Sequence, residues 1–185
     1  SPASPPWYMK EPLRTVSANV VGTLNLLDHL AEGGGFCFTS TSEVYGDPIV
    51  SPQPETYRGS VDCTGPRSSY DESKRCVEAI LFEARRVYGT RIKVVRLFNV
   101  FGTRTRPDDG RAVSNFITQA LRGEPITVFG DGLQSRSWGY IDDIVEALER
   151  YFWLDGVDHP GPLNIGNDRE VSVIEVAQFI NRMFP

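Results

Sequence analysis

Glycine is plentiful in this chain but never stands where a dinucleotide cradle needs it. No Gly-x-Gly-x-x-Gly or near relative follows a strand pattern: Gly33-Gly34-Gly35 precedes one, and Gly130-Asp-Gly132 leads into Ser- and Arg-bearing sequence without helical period. A pyrophosphate site of the strand, turn and helix type is therefore absent from these residues. Cysteine is sparse. Cys37, Cys63 and Cys76 are odd in number and show no Cys-x-x-Cys spacing, which argues against a disulfide framework or a zinc site, predicts no bound metal and favours reduced thiols in a reducing compartment. No run of about 18 apolar residues occurs, so these residues hold no pattern for a membrane-spanning helix, and no signal-peptide pattern opens them. Excess positive charge is missing too. The formal net charge of −5 leaves no general footprint for nucleic acid, although single arginines can still clamp a phosphate.

What is present alternates between helical and strand periods. Val16, Val20, Leu24, Leu27 and Ala31 recur at three- and four-residue spacing and predict an amphipathic helix that the glycine run ends. A short strand from Phe36 to Ser40 follows. Val77, Ile80, Leu81, Ala84 and Val87 form the apolar stripe of a second helix that stops at Gly89. Ile92 to Phe98 reads as a β-branched strand, Val113 to Leu121 as a helix, Ile126 to Phe129 as a strand, and Ile144 to Phe152 as a helix. Ser172-Val-Ile-Glu175 is a capping box opening a last helix. Such alternation implies a parallel sheet with helices on its faces. The opening Ser1-Pro-Ala-Ser-Pro-Pro6 reads as a loop.

The chemistry centres on Ser69-Tyr-Asp-Glu-Ser-Lys-Arg75. Four residues apart on a helix, Tyr70 and Lys74 share a face. An ammonium beside a phenol favours phenolate, and a Tyr so tuned exchanges protons with an alcohol, which an ordinary phenol with a pKa of about 10 does poorly near neutrality. The same spacing also occurs in solvated surface pairs.

With Thr39-Ser-Thr-Ser-Glu-Val-Tyr-Gly46, Arg96-Leu-Phe-Asn99, Gly110-Arg-Ala-Val-Ser-Asn115 and Asn164-Ile-Gly-Asn167 beside it, the chain resembles the extended short-chain dehydrogenase family, the NAD-dependent epimerases, dehydratases and decarboxylases of nucleotide sugars. The resemblance implies a Rossmann-like parallel sheet, residues 1–100 forming the remaining part of the NAD-binding domain and residues 101–185 a smaller α/β substrate region with segments returning to the first. It implies that the glycine fingerprint would lie upstream of Ser1, that the chain is the C-terminal portion of a longer protein, and that alone it turns over little. Thr41, Glu43, Tyr70 and Lys74 match catalytic positions, and Ser1, Tyr70 and Lys74 match contacts to NAD. Ser42, Asn99, Asn115 and Arg136 match substrate contacts, and Phe129 falls near the expected nucleotide. Read without the family, Thr41 could serve loop backbone, Glu43 could be a solvated loop carboxylate and Arg136 an exposed structural arginine.

Ser42 discriminates within the family, because related 4,6-dehydratases carry Asp there and simple 4-epimerases usually lack the Glu. The implied activity is NAD-dependent decarboxylation of UDP-glucuronic acid to UDP-xylose through a 4-keto intermediate. A nucleotide-sugar 4-epimerase or 4,6-dehydratase is the alternative, and a fragment that only binds a nucleotide sugar the second. The resemblance also implies a homodimer built from helices over Leu13 to Ala31 and Ser69 to Tyr88, and a cytoplasmic protein, or a Golgi one if a membrane anchor precedes it.

Overall fold

The computed structural model describes residues 2–154 and 161–184. The chain runs α1 (Pro5–Lys10), α2 (Pro12–Asp28), β1 (Gly35–Thr41), a 3-10 helix (Ser42–Tyr45), α3 (Ser68–Tyr88), β2 (Arg91–Leu97), β3 (Asn99–Phe101), α4 (Ala112–Leu121), β4 (Ser135–Tyr140), α5 (Ile141–Trp153), β5 (Leu163–Ile165), β6 (Glu170–Ser172) and α6 (Val173–Met183). Among the described residues these form two three-stranded sheets, in the orders β1-β2-β5 and β3-β4-β6.

The first sheet is parallel, with Gly35 opposite Arg91 and Thr41 opposite Leu97, and Val95 opposite Leu163. Successive strand residues face opposite sides. Val94 therefore packs with Val77 and Leu81 of α3, joined by Val20 and Leu27 of α2, whereas Val95 packs with Ile144 and Tyr151 of α5 and with Ile165. Helices cover both faces, as a parallel sheet requires. α3 stops where its sequence says: Gly89 takes the left-handed conformation and donates its N–H to Arg85 O. The second sheet is mixed, β3 parallel to β4 and β4 antiparallel to β6. Phe116 of α4 packs with Val173, Ala177 and Ile180 of α6 and with Trp138 of β4. The capping box at Ser172 and Glu175 is formed.

Three expectations need correction. Pro5 and Pro6 start a helix instead of continuing a loop, since proline's missing N–H costs nothing in a first turn. Ile126 to Phe129 forms no strand: Gln119 holds the segment by accepting from Thr127 N–H and donating to Thr127 Oγ1, Ile126 and Val128 pack toward α4 and α6, and Phe129 is exposed. α2 buries only part of its apolar stripe, Val20 and Leu27. Thr15, Asn19 and Thr23 are buried beside them while Val16 and Leu24 are exposed, and Asn19 Nδ2 donates to Ser73 Oγ on α3 at 2.8 Å.

Candidate functional site

The C-terminal end of β1 delivers Thr41, and the chain there turns into the 3-10 helix, whose first N–H groups need acceptors. Thr41 Oγ1 accepts from Glu43 N–H at 3.3 Å. The motif ends on Gly46 because the chain must pass Ser60: at φ 65° a Cβ there would lie 1.9 Å from Ser60 O.

Tyr70 stands in the first turn of α3, 8% exposed, with Thr41 facing its phenol. Its ring stacks on Tyr8 of α1, centroids 4.9 Å apart and planes 10° from parallel. Lys74, one turn on, is equally buried. Its Nζ donates to Thr39 O at 2.8 Å, and lies 4.5 Å from the Phe38 ring centroid and 5.8 Å from that of Tyr70.

The two side chains share a buried face, and for each of them burial sets the direction of the pKa shift. Burial pushes the Tyr70 phenol up to about 12; the Thr41 hydroxyl opposes this, and the charges of Glu43, Tyr8 and Asp71 add to it. Burial draws the Lys74 ammonium down to about 8 against the attraction of Glu78.

Glu43 is ion-paired with Arg67. Ser42, Glu43, Arg67, Asp71, Asn99 and Arg136 line one open cleft of about 490 Å³. Asn99, Asn115, Phe129, Gln134, Arg136 and Trp138 line a neighbouring one of about 230 Å³. The structure thus brings Ser42, Glu43, Asn99 and Arg136 together and sets Asn115 around the corner from them. Thr41, Tyr70 and Lys74 sit behind the larger cleft without lining it, and Ser1 lies outside the described residues.

Sequence reading missed Tyr8, Arg67 and Asp71. Asp71 adjoins Tyr70 in the motif, but nothing in its spacing announces a buried carboxyl. Burial raises it to about 6, with Arg67 opposing and Glu43 and Glu72 adding.

Other motif residues build the scaffold. Arg96 grips Glu78 with two bonds of 3.0 and 2.6 Å and donates to Tyr45 Oη at 3.0 Å, and Tyr45 in turn donates to Asn164 Oδ1 at 2.7 Å. Among the described residues no group of three acidic, His or Cys side chains could hold a metal ion, and no helix is long and apolar enough to cross a membrane.

A parallel sheet whose strand end offers a threonine to a Tyr-x-x-x-Lys pair on the next helix defines an α/β protein of the short-chain dehydrogenase type. The chain belongs to the NAD dependent epimerase/dehydratase family, whose pattern matches residues 2–166. It is 48% identical over 184 residues to UDP-glucuronic acid decarboxylase 5 of Arabidopsis thaliana, covering 98% of this chain and 53% of that protein. It is 46% identical over 185 residues to UDP-glucuronic acid decarboxylase 1 of Danio rerio, covering 99% and 43%. The UDP-glucose 4-epimerase of Thermotoga maritima, solved with UDP-glucose, superposes with a TM-score of 0.87 at 31% identity, covering 100% of this chain and 59% of that one. The chain thus spans about half the length of the curated relatives it matches.

Proposed function

We propose that this chain carries the proton-handling and sugar-binding part of an NAD-dependent decarboxylase that converts UDP-glucuronic acid to UDP-xylose. The observation that carries the reading is the Thr41, Tyr70 and Lys74 group at the strand end, with Glu43 and Ser42 opening from it into a cleft of about 490 Å³. The names of the relatives at 46–48% identity favour decarboxylation over the other chemistries of the family, and Ser42 stands where related dehydratases carry an aspartate.

The residues present fit one end of the cofactor. A protonated lysine has three N–H donors, and among the described residues Lys74 uses one, on Thr39 O. The others suit a ribose diol beside Tyr70. Bound NAD would supply a hydride acceptor for oxidation at sugar C4. Tyr70 would accept the O4 proton and return it, with Thr41 holding the same oxygen while charge develops on it. Glu43 would serve protonation at C5, kept in place by Arg67. Asn99, Asn115 and Arg136 would hold the diphosphate and nucleotide, the guanidinium suiting a bidentate anion contact.

The test is incubation of the chain, alone and within a longer polypeptide that includes a glycine-rich cofactor turn, with UDP-[6-13C]glucuronic acid and NAD. Labelled CO2 together with UDP-xylose is expected from the longer form and is lost on Tyr70→Phe. A 4-epimerised sugar or a 4-keto-6-deoxy sugar as product would refute the decarboxylase reading and leave the epimerase or dehydratase.

The same reading includes a homodimer. α2 leaves Leu13, Val21 and Leu24 exposed on one side while it packs against α3 on the other, and a helix pair with an apolar outer face suits a four-helix contact with a second copy.

A further inference from the structure

Asp71 has no place in the mechanism above, yet it is the most unusual carboxyl in the cleft. It is 7% exposed, its Oδ1 is buried without a hydrogen-bond partner, and it lines the same cleft as Ser42, Glu43 and Arg136. A buried carboxylate oxygen left unpaired is costly unless the group carries a proton or finds a donor. The charges around it come from every side. Arg67, four residues before it and ion-paired with Glu43, opposes the rise; Glu43 on the 3-10 helix and Glu72 on its own helix repel a second negative charge; Tyr70 and Tyr8 contribute phenols that burial keeps protonated, with the Asp71 charge adding to it. A uronic acid entering this cleft would bring one further carboxylate.

We propose that Asp71 is the proton-holding carboxyl of the cleft, which takes up a proton when an anionic sugar binds beside it, so that the site admits a uronate without adding a like charge. The proposal rests on the UDP-glucuronate reading above. Linkage gives its signature: affinity for a uronate falls as pH rises through the titration of Asp71, and affinity for an uncharged hexose does not. The burial-driven rise of the Asp71 pKa to about 6 agrees with this geometry. The neutral Asp71 O–H would then serve as a donor to the bound sugar, a role that Asn can partly imitate.

The experiment is calorimetric titration of the 185-residue chain with UDP-glucuronate and with UDP-glucose between pH 5.5 and 8, in pairs of buffers differing in ionisation enthalpy, for the parent and for Asp71→Asn. Neither ligand titrates in that range. The expected result is uptake of close to one proton with UDP-glucuronate at pH 7.5, an affinity falling by up to about tenfold per pH unit above the Asp71 titration, no uptake with UDP-glucose, and a flat profile for Asp71→Asn. Binding of UDP-glucuronate without uptake, or uptake that persists in Asp71→Asn, overturns the proposal and leaves the uronate reading standing. Binding of UDP-glucose with rejection of UDP-glucuronate by parent and variant alike overturns the uronate reading, and absence of binding at every pH overturns both. Should Asp71→Asn fail to fold, carbon-detected titration of the Asp71 carboxyl in the parent decides: a midpoint that moves up on saturation with UDP-glucuronate supports the proposal, and one that stays in place overturns it.

Discussion

Asp71 and Lys74 bury opposite charges one helical turn apart, and their linkage to folding runs in opposite directions. The folded chain holds the Asp71 proton up to about 6, above an ordinary 3.8. The stability this gives is complete below the lower value and is lost as pH rises through the upper one. Lys74 is drawn down from 10.5 to about 8, so its contribution is present above the higher value and is lost as pH falls through the lower. Around pH 7 both groups are charged and buried, at a combined cost, and such stored cost is common where side chains serve a ligand. Asp71→Asn is therefore expected to raise the free energy of unfolding near pH 7 by about 1–3 kcal/mol, with the gain gone at pH 4. Lys74→Met should show its gain near pH 7 shrinking toward pH 10. Urea denaturation of the parent and both variants across pH checks the pair of slopes.

Among the elements, α3 is the one on which both the site and the sheet depend. Its inner face carries Tyr70 and Lys74 toward β1, and one turn further Glu78, which accepts from Ser40 Oγ at 2.5 Å on β1 and from Arg96 on β2. The Glu78 and Arg96 side chains are only 9% and 12% exposed. Removing one partner of a buried pair strands the other charge, so Glu78→Gln is expected to destabilise by about 3–5 kcal/mol, and Glu78→Gln with Arg96→Met to recover much of that loss in chemical denaturation.

α3 was legible in the sequence because its stripe of Val77, Leu81 and Ala84 is the buried face and Gly89 marks its end. α2 was read only in part by the same method. Periodicity found Val20 and Leu27, but the inward face also holds Thr15, Asn19 and Thr23, and the bond from Asn19 to Ser73 is one that no hydropathy pattern encodes. The strands β3, β5 and β6 escaped notice at three residues each, and β4 because its Ser-Arg-Ser-Trp-Gly-Tyr run lacks clean alternation. The Tyr70 and Lys74 face followed from helical spacing alone. The cleft beside it did not, since Arg67 and Asp71 acquire meaning only when the loop before α3 folds against the 3-10 helix.

For the whole molecule, the balance of buried and exposed apolar surface is uneven. Leu13 is 84% exposed and Leu26 61% exposed on α2, surface that a solitary chain would gain by covering. Leu13→Arg with Leu24→Arg is expected to shift the chain toward monomer in sedimentation equilibrium without altering its circular dichroism, as both side chains are exposed. An unchanged mass would count against the two-copy arrangement.

β2 is flanked by β1 along its length and by β5 at its C-terminal end, and it is roofed on both sides by helices. In deuterated solvent the amides of Val94 to Leu97 should accordingly be the last to surrender their protium, and their opening should coincide with loss of the entire chain's structure. The tip of β1 that presents Thr41 is bonded to that slow strand. Thr41 is thereby anchored to the least yielding part of the protein.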